Sequence, residues 1–192
     1  QKGRLRQFHH IGCEVIGSDG PEIDIEVIAL ADNLLKAYGI NGYSIKLNSL
    51  GCGKDKKELS KILELGLKNK VKHLCNDCKI RFEHNILRIL DCKNQVCQEA
   101  VNSLKITDQH LCSDCKPHFE MVVIGLDLLG VSYEISPYLV RGLDYYTRTV
   151  FEIKHSALGS QDAIGAGGRY DNLVSELGGP KLGAIGFAFG VE

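Results

Sequence analysis

The chain has 192 residues, of which 44% are hydrophobic and 24% are charged, as is ordinary for a globular protein with one domain and an insertion, or with two small domains. Its formal net charge of -1 excludes an overall basic field, so an RNA partner requires a local basic patch. No apolar run approaches the roughly 20 residues of a membrane span, and no signal peptide is evident. We therefore expect a cytoplasmic protein without a membrane partner.

The first segment, residues 1–16, predicts a strand with one polar and one apolar face, because alternate residues of a strand point to opposite sides of a sheet. Ile11, Cys13 and Val15 form the predicted core face. The polar face carries Arg4, Arg6, Phe8, His10, Gly12 and Glu14. It is either a ligand-binding face or, as in most strands, a solvated one.

Four regular elements are predicted outside the motifs. Residues 21–38 predict a helix, because apolar residues recur at helical spacing and Pro21 suits its first turn. Residues 43–50 alternate as a strand. Residues 117–129 return to helical periodicity, and residues 131–136 predict a short strand.

The middle of the chain, residues 51–119, holds seven of the eight cysteines and reads as short helices joined by polar turns. Two Cys-x-x-Cys pairs are present, and each can place two thiolates on one tetrahedral metal, for which zinc is the commoner choice. The predicted zinc ligands are Cys75, Cys78, Cys112 and Cys115, with Cys92 and Cys97 as substitute ligands. Reduced thiols without metal are the alternative. The lysines of this region can meet RNA phosphates or form a solvated helix face.

The segment from residue 139 to residue 152 combines strand-forming residues with the groups of a binding pocket. Arg141 offers a rigid guanidinium fork for phosphate or carboxylate. Gly142 lets the backbone approach a ligand. Tyr145 and Tyr146 offer hydroxyl groups beside flat apolar rings. The segment predicts a pocket for an anionic small molecule, and the alternative is an edge strand with a solvated polar face.

Two further segments are rich in glycine. Residues 165–173 predict a glycine-rich turn before a helix, where backbone amides can approach a ligand, although such glycine-rich hairpins often only change the chain direction. Residues 183–192 alternate small and apolar residues as a buried strand does, with Gly186 and Gly190 as positions of close approach.

Four of these segments resemble, in the same order, the motifs of histidyl-tRNA synthetases. Residues 1–14 resemble the end of motif 2 of class II aminoacyl-tRNA synthetases, and residues 139–152 resemble the signature that carries the catalytic arginine. The run Ala-Gly-Gly-Arg-Tyr-Asp at residues 166–171 resembles the second histidyl signature, and residues 183–192 resemble motif 3. The match spans nearly the whole chain.

The resemblance implies an α+β fold: a class II aminoacyl-tRNA synthetase-like antiparallel sheet flanked by helices, with a mostly helical insertion domain. Residues 1–50 and 120–192 are the implied catalytic core, and residues 51–119 are the implied insertion, in a place thought to touch the tRNA acceptor arm.

The resemblance also implies roles for individual residues. Arg141 is the implied catalytic cation on the α-phosphate of ATP, and Arg4 is its helper. Phe8 stacks on adenine, while Gly186 and Gly190 lie close to ATP. The implied histidine-binding residues are His10, Glu14, Arg141, Tyr145, Tyr146 and Tyr170, with Arg169 left open. The implied substrates and partners are histidine, ATP with Mg²⁺ and tRNA(His), and the full-length protein is expected to be a homodimer.

The implied reaction joins histidine and ATP into histidyl-adenylate, releases pyrophosphate, and passes the histidyl group to the 3' end of the tRNA. His10 stands where the family has a glutamine, and its charge depends on pH. This leaves open a non-catalytic paralogue, a regulatory subunit or sensor that binds histidine; a zinc-stapled RNA-binding module is a third reading. Because motif 1 and two motif arginines lie outside the chain, we expect a fragment with little or no activity alone.

Overall fold

The structure, a computed structural model, describes residues 6–158 and 162–192, and within these ranges it contains one six-stranded sheet. The strands are β1 (His10–Ile16), β2 (Tyr43–Ser49), β3 (Glu134–Ile135), β4 (Thr147–His155), β5 (Ala163–Arg169) and β6 (Ala184–Gly190). The α-helices are α1 (Pro21–Ala37), α2 (Gly53–Leu67), α3 (Asn76–His84), α4 (Gln95–Asn102), α5 (Cys115–Leu128) and α6 (Leu173–Glu176). Short 3₁₀ helices cover Lys68–His73, Ile86–Ile89 and Ser156–Leu158.

The strands follow the order β1-β6-β5-β4-β2-β3 across the sheet. Neighbouring strands are antiparallel except β2 and β3, which are parallel and share two residue pairs. The predicted antiparallel sheet flanked by helices is confirmed, with β3 as a short parallel addition at one edge. At the other edge, β1 pairs with β6, the last strand in the sequence.

Helices α1 and α5 cover one face of the sheet. Ile28 and Leu126 from these helices pack against Phe151 of β4, and all three side chains are fully buried. The two helices approach closely at Gly125, where an added Cβ would lie 2.2 Å from Cδ1 of Ile25. This layer forms one of two apolar cores.

A second apolar cluster joins the cysteine-rich helices to the opposite face of the sheet. Leu63 of α2 and Val101 of α4 belong to the same buried cluster as Val140 and Val150. Residues 51–119 are mostly helical, as predicted. That these residues form a domain separate from the core stays a prediction. The cluster fixes these helices beside the segment that carries Arg141.

Several local predictions need correction. The glycine-rich segment from residue 165 is the strand β5 and not a turn, because its small residues fit between two neighbouring strands in the middle of the sheet. The strand predicted for residues 131–136 is reduced to Glu134–Ile135. Cys13 and Val15 of the predicted core face of β1 pack against the apolar core, but Ile11 of that face is 52% exposed, because it lies near the outer end of the strand.

The other regular elements agree with prediction. The predicted helix 21–38 and strand 43–50 are confirmed within one residue as α1 and β2. The helix predicted for residues 117–129 is α5, which begins two residues earlier. In the part of the chain that the structure describes, we find no helix with the length and apolar character to cross a membrane.

Candidate functional site

The face of the sheet opposite α1 and α5, which we call the ligand face, has a floor of small residues. The strand register aligns Glu14 with Gly186 and Gly186 with Gly168 in one row. The next row on the same face aligns Gly12, Ala188 and Ala166, and Ala166 is paired with Glu152. Because the glycines and alanines of these rows project little or no side chain, they leave space above the neighbouring strands β1, β6 and β5.

Two glycines of this floor make room for particular side chains. An added Cβ at Gly186 would lie 1.7 Å from Oε2 of Glu14 and 2.6 Å from the carbonyl oxygen of Cys13. An added Cβ at Gly168 would lie 3.0 Å from the ring of Tyr146. Both glycines are therefore required by close packing within the protein, and the predicted approach of Gly186 to ATP stays a prediction.

Three tyrosines and one carboxylate form a cluster on the ligand face. The Tyr170 hydroxyl donates a hydrogen bond to the Glu14 carboxylate. The Tyr145 ring lies edge-on to the Tyr170 ring, with centroids 5.9 Å apart, and 4.8 Å from the Tyr146 ring. Four predicted histidine-binding residues, from β1, the loop before β4 and the end of β5, are thus brought together.

Burial controls the protonation of these hydroxyl groups. Burial raises the pKa of Tyr146 to about 12. Burial, followed by the hydrogen bond to Glu14, raises the pKa of Tyr170 well above its ordinary value. Both phenols therefore remain neutral at physiological pH and can donate a hydrogen bond, while Glu14 offers the acceptor oxygens.

The predicted catalytic arginine lies beside this cluster. Nη1 of Arg141 is 2.7 Å from Oε1 of Glu152, whose position on β4 faces the ligand side of the sheet. The Arg141 side chain is only 23% exposed, and among the described residues its Nε has no hydrogen-bond partner. The guanidinium is thus oriented by one carboxylate.

The loop of residues 141–146, which we call the signature loop, is a series of turns before β4 begins at Thr147. The cysteine-rich helices hold it from outside. Nδ2 of Asn85 lies 3.1 Å from Oδ1 of Asp144, and Nη1 of Arg88 lies 3.4 Å from the carbonyl oxygen of Gly142. Nζ of Lys56 donates to the Asp144 carbonyl oxygen at 2.9 Å. A cleft of about 210 Å³ lies between this loop and the helices, and Arg141 and Arg88 line it.

A buried polar network lies beneath the other end of the site. Arg169 is 0% exposed, and its guanidinium pairs with Asp24 at the start of α1 and with Asp171 at 3.0 Å. Asp24 also lies 2.8 Å from Nε2 of His118 on α5. Arg169 also donates to the carbonyl oxygens of Ser18 and Gly20. Arg169 therefore holds the turn after β1 against β5, and its position gives it no contact with the ligand face.

The remaining predicted site residues lie at the outer end of β1. Phe8 is 62% exposed, and its ring centroid is 6.0 Å from that of His10, which is also exposed. His10 pairs across the strand register with Gly190. Among the described residues, neither ring pairs with a ring of the tyrosine cluster. Arg4 lies outside the described residues.

The predicted metal-ligand set is wrong in its grouping. The two Cys-x-x-Cys pairs do not meet; each is completed by other residues. Among the described residues, ligand atoms within 4.8 Å of one another form two groups. The first is Cys75, Cys78, Cys92 and Cys97, and the second is Cys52, Asp55, Cys112 and Cys115. The spacing within each Cys-x-x-Cys pair correctly indicates that its two cysteines lie together. The path of the chain between the pairs decides which other residues join them.

Sequence reasoning missed three features of the site. Glu152 was not predicted as a site residue. Strand alternation places it on the same face of β4 as Val150, so the sequence could have indicated its position. Asn85 and Arg88 carried no motif, so their contacts with the signature loop had no signal in the sequence. Asp24 read as an ordinary acidic residue of a helix first turn, and only the fold places it against Arg169.

The arrangement defines a class of protein. A six-stranded sheet flanked by helices, with an arginine, a carboxylate and tyrosines on its open face, is the catalytic core of a class II aminoacyl-tRNA synthetase. The chain belongs to the histidyl-tRNA synthetase family, because the family model described as "Histidyl-tRNA synthetase" matches residues 1–192.

Curated relatives agree with this assignment. The histidine–tRNA ligase of Thermosipho melanesiensis is 50% identical over 192 residues, which are 100% of this chain and 45% of that protein. The histidine–tRNA ligase of Thermoanaerobacter pseudethanolicus is 45% identical and is matched over 46% of its length. The chain thus spans about half the length of the curated relatives it matches.

Solved structures support the same fold. Apo histidyl-tRNA synthetase of S. aureus superposes with a TM-score of 0.72 at 32% identity, over 97% of this chain and 45% of that one. A Bacillus halodurans protein described as an ATP phosphoribosyltransferase regulatory subunit/histidyl-tRNA synthetase superposes with a TM-score of 0.64 at 25% identity, over 95% of this chain and 51% of that one.

Proposed function

We propose that this chain is part of the catalytic domain of a cytoplasmic histidine–tRNA ligase. The protein that contains it activates histidine with ATP and Mg²⁺ to histidyl-adenylate, releases pyrophosphate, and transfers the histidyl group to the 3' end of tRNA(His). The observation that carries the proposal is the meeting of Glu14 and Tyr170 with Tyr145 and Tyr146, beside Arg141, on one open face of the sheet.

The chemistry of these groups suits the reaction. Attack of the histidine carboxylate on the α-phosphate gathers negative charge, and a cation fixed before the reaction stabilises that charge without reorganisation. Arg141 is such a cation, since Glu152 orients its Nη1 at 2.7 Å. Mg²⁺ supplies charge neutralisation at the phosphates when it is bound with ATP.

Selection of histidine follows from the cluster opposite this arginine. Glu14 can accept a hydrogen bond from the amino group or an imidazole nitrogen of the substrate, and the neutral Tyr170 hydroxyl can share that contact. The Tyr145 and Tyr146 rings offer flat apolar walls for an imidazole. A pocket that binds its substrate through buried hydrogen bonds discriminates strongly against analogues that lack them.

The test is histidine-dependent exchange of pyrophosphate into ATP by the intact protein. Loss of a preorganised charge-stabilising group costs about 100- to 1000-fold in kcat, so we expect a loss of that size from Arg141→Ala. Glu14→Gln should mainly raise KM for histidine. The matched control is Lys61→Ala, a charge removed from an exposed helix position. Unchanged exchange in Arg141→Ala would exclude this arginine as the catalytic cation.

A second candidate is a non-catalytic paralogue that binds histidine as a regulatory subunit or sensor. Its support is His10 at a position where the family has glutamine, together with the likeness to the Bacillus halodurans protein. Isothermal titration separates the two candidates. Histidine binding by an intact protein that shows no pyrophosphate exchange would favour the paralogue.

A further inference from the structure

We propose that Cys75, Cys78, Cys92 and Cys97 bind one structural zinc ion as a closed tetrathiolate site. Their four sulfur atoms lie within 4.8 Å of one another. Sγ of Cys75 and Sγ of Cys92 are 3.8 Å apart. A zinc ion with Zn–S bonds of about 2.3 Å separates its thiolates by about 3.8 Å along each tetrahedral edge. The spacing therefore suits one metal ion and is far too long for a disulfide, whose sulfurs are about 2.05 Å apart.

The surrounding backbone stabilises thiolates at this place. Cys75 is the N-cap of α3, and Cys78 lies in the first turn of that helix. Cys97 lies in the first turn of α4. Helix N-termini favour negative charge and lower the cost of deprotonating a thiol. Two separate helices thus point their positive ends at one cluster.

Two backbone amides donate directly to the sulfurs. The amide nitrogen of Cys75 lies 3.3 Å from Sγ of Cys97, and that of Asn94 lies 3.4 Å from Sγ of Cys92. Outer-shell hydrogen bonds of this kind orient metal ligands and tune their charge. Cys78 and Cys97 are fully buried and Cys92 is buried, whereas Cys75 is partly buried, so most of the cluster is shielded from solvent, as in a structural site.

The second cysteine group is less suited to a metal. It contains three thiols and Asp55, whose two carboxylate oxygens already accept hydrogen bonds from the backbone amides of Cys52 and Cys112, each at 3.1 Å. Asp55 thus completes a capping box at the start of α2 and ties it to the segment before α5. We therefore expect about one zinc per chain, which the Cys75 group holds.

The position of this site connects it to the signature loop. The zinc ligands lie at both ends of the segment that contains Asn85 and Arg88, and these two residues contact Asp144 and Gly142. Metal binding would order this segment, because a closed site forms only when all four ligands are in place. The zinc is therefore a support for the loop that carries Arg141.

The first experiment is elemental analysis of the intact protein, purified under reducing conditions without chelator. We expect about one zinc per chain, and replacement by Co²⁺ should give the charge-transfer and ligand-field bands of a tetrahedral thiolate site. In Cys97→Ser, zinc affinity measured by competition with a chromogenic chelator should fall by more than about 100-fold, because even outer-shell partners contribute 10- to 100-fold. Cys115→Ser and Cys13→Ser are the matched controls and should retain zinc.

A second measurement needs no variant and remains valid if Cys97→Ser fails to fold. Alkylation of the wild-type protein, mapped by mass spectrometry, should label the four proposed ligands only after zinc is removed, and labelling of Cys112 and Cys115 should not depend on zinc. Absence of bound zinc would overturn the proposal. It would also be overturned by zinc that depends on Cys115 and not on Cys97.

Discussion

The buried guanidinium of Arg169 gives the sharpest test of how the site is supported. Its side chain is fully buried and donates to Asp24, to Asp171 and to two backbone carbonyl oxygens. The change Arg169→Met removes all of these donors and roughly keeps the length of the side chain. Among the described residues, the contact with His118 is then the remaining side-chain hydrogen bond of Asp24, which is itself fully buried.

The expected cost follows from the burial of both partners. Removal of one member of a buried ion pair leaves an uncompensated charge and costs about 3–5 kcal/mol. This is a large part of the roughly 5–15 kcal/mol that holds an ordinary domain folded. A domain of this size loses about 2–4 °C in Tm per kcal/mol, so Tm should fall by roughly 6–20 °C.

Urea unfolding followed by circular dichroism measures the loss. The control is Lys61→Ala, which breaks the exposed pair with Glu58 and should cost less than about 1 kcal/mol. Adding Asp24→Asn to Arg169→Met should cost less than the sum of the two single changes, since the second change removes the charge that the first left unpaired. A loss below about 1 kcal/mol in Arg169→Met, or strict additivity, would refute this account of the network.

Three further predictions concern the site and its cores. Gly186→Ala places a methyl group against Glu14, so it should destabilise the protein by about 1–3 kcal/mol and weaken histidine binding. Calorimetry that shows neither effect would contradict the close packing. Burial raises the pKa of Tyr146 to about 12, whereas an unfolded phenol ionises near pH 10, so its stabilising contribution is complete below about pH 10 and is lost as the pH rises through 12. Tyr146→Phe should reduce that alkaline loss of unfolding free energy by up to about 1.4 kcal/mol per pH unit, and an unchanged pH profile would be the opposing result. Leu63→Ala should cost about 2–5 kcal/mol in urea unfolding because Leu63 is fully buried, and its neighbour Leu65, which is 78% exposed, is the matched control.

Local sequence patterns were enough for most elements. The helical periodicity of α1 and the alternation of β2 are signals within one segment, so both were located within one residue. The order of the motifs also identified the family, which the comparison over residues 1–192 confirms. The prediction of a turn from residue 165 is wrong because glycines suit a turn as well as a strand, and only the strands on either side decide between them.

Sequence by itself determined the family and the fold class, since these depend on residue types at fixed spacings, and it predicted some of the residues for the chemistry. Only the tertiary structure decided which of them meet. It placed Cys92 and Cys97 with the first cysteine pair, paired Arg141 with Glu152, and buried Arg169 against Asp24. The physical reason is that each contact joins separate secondary-structure elements, and the strand register and helix packing that bring these elements together are properties of the whole chain.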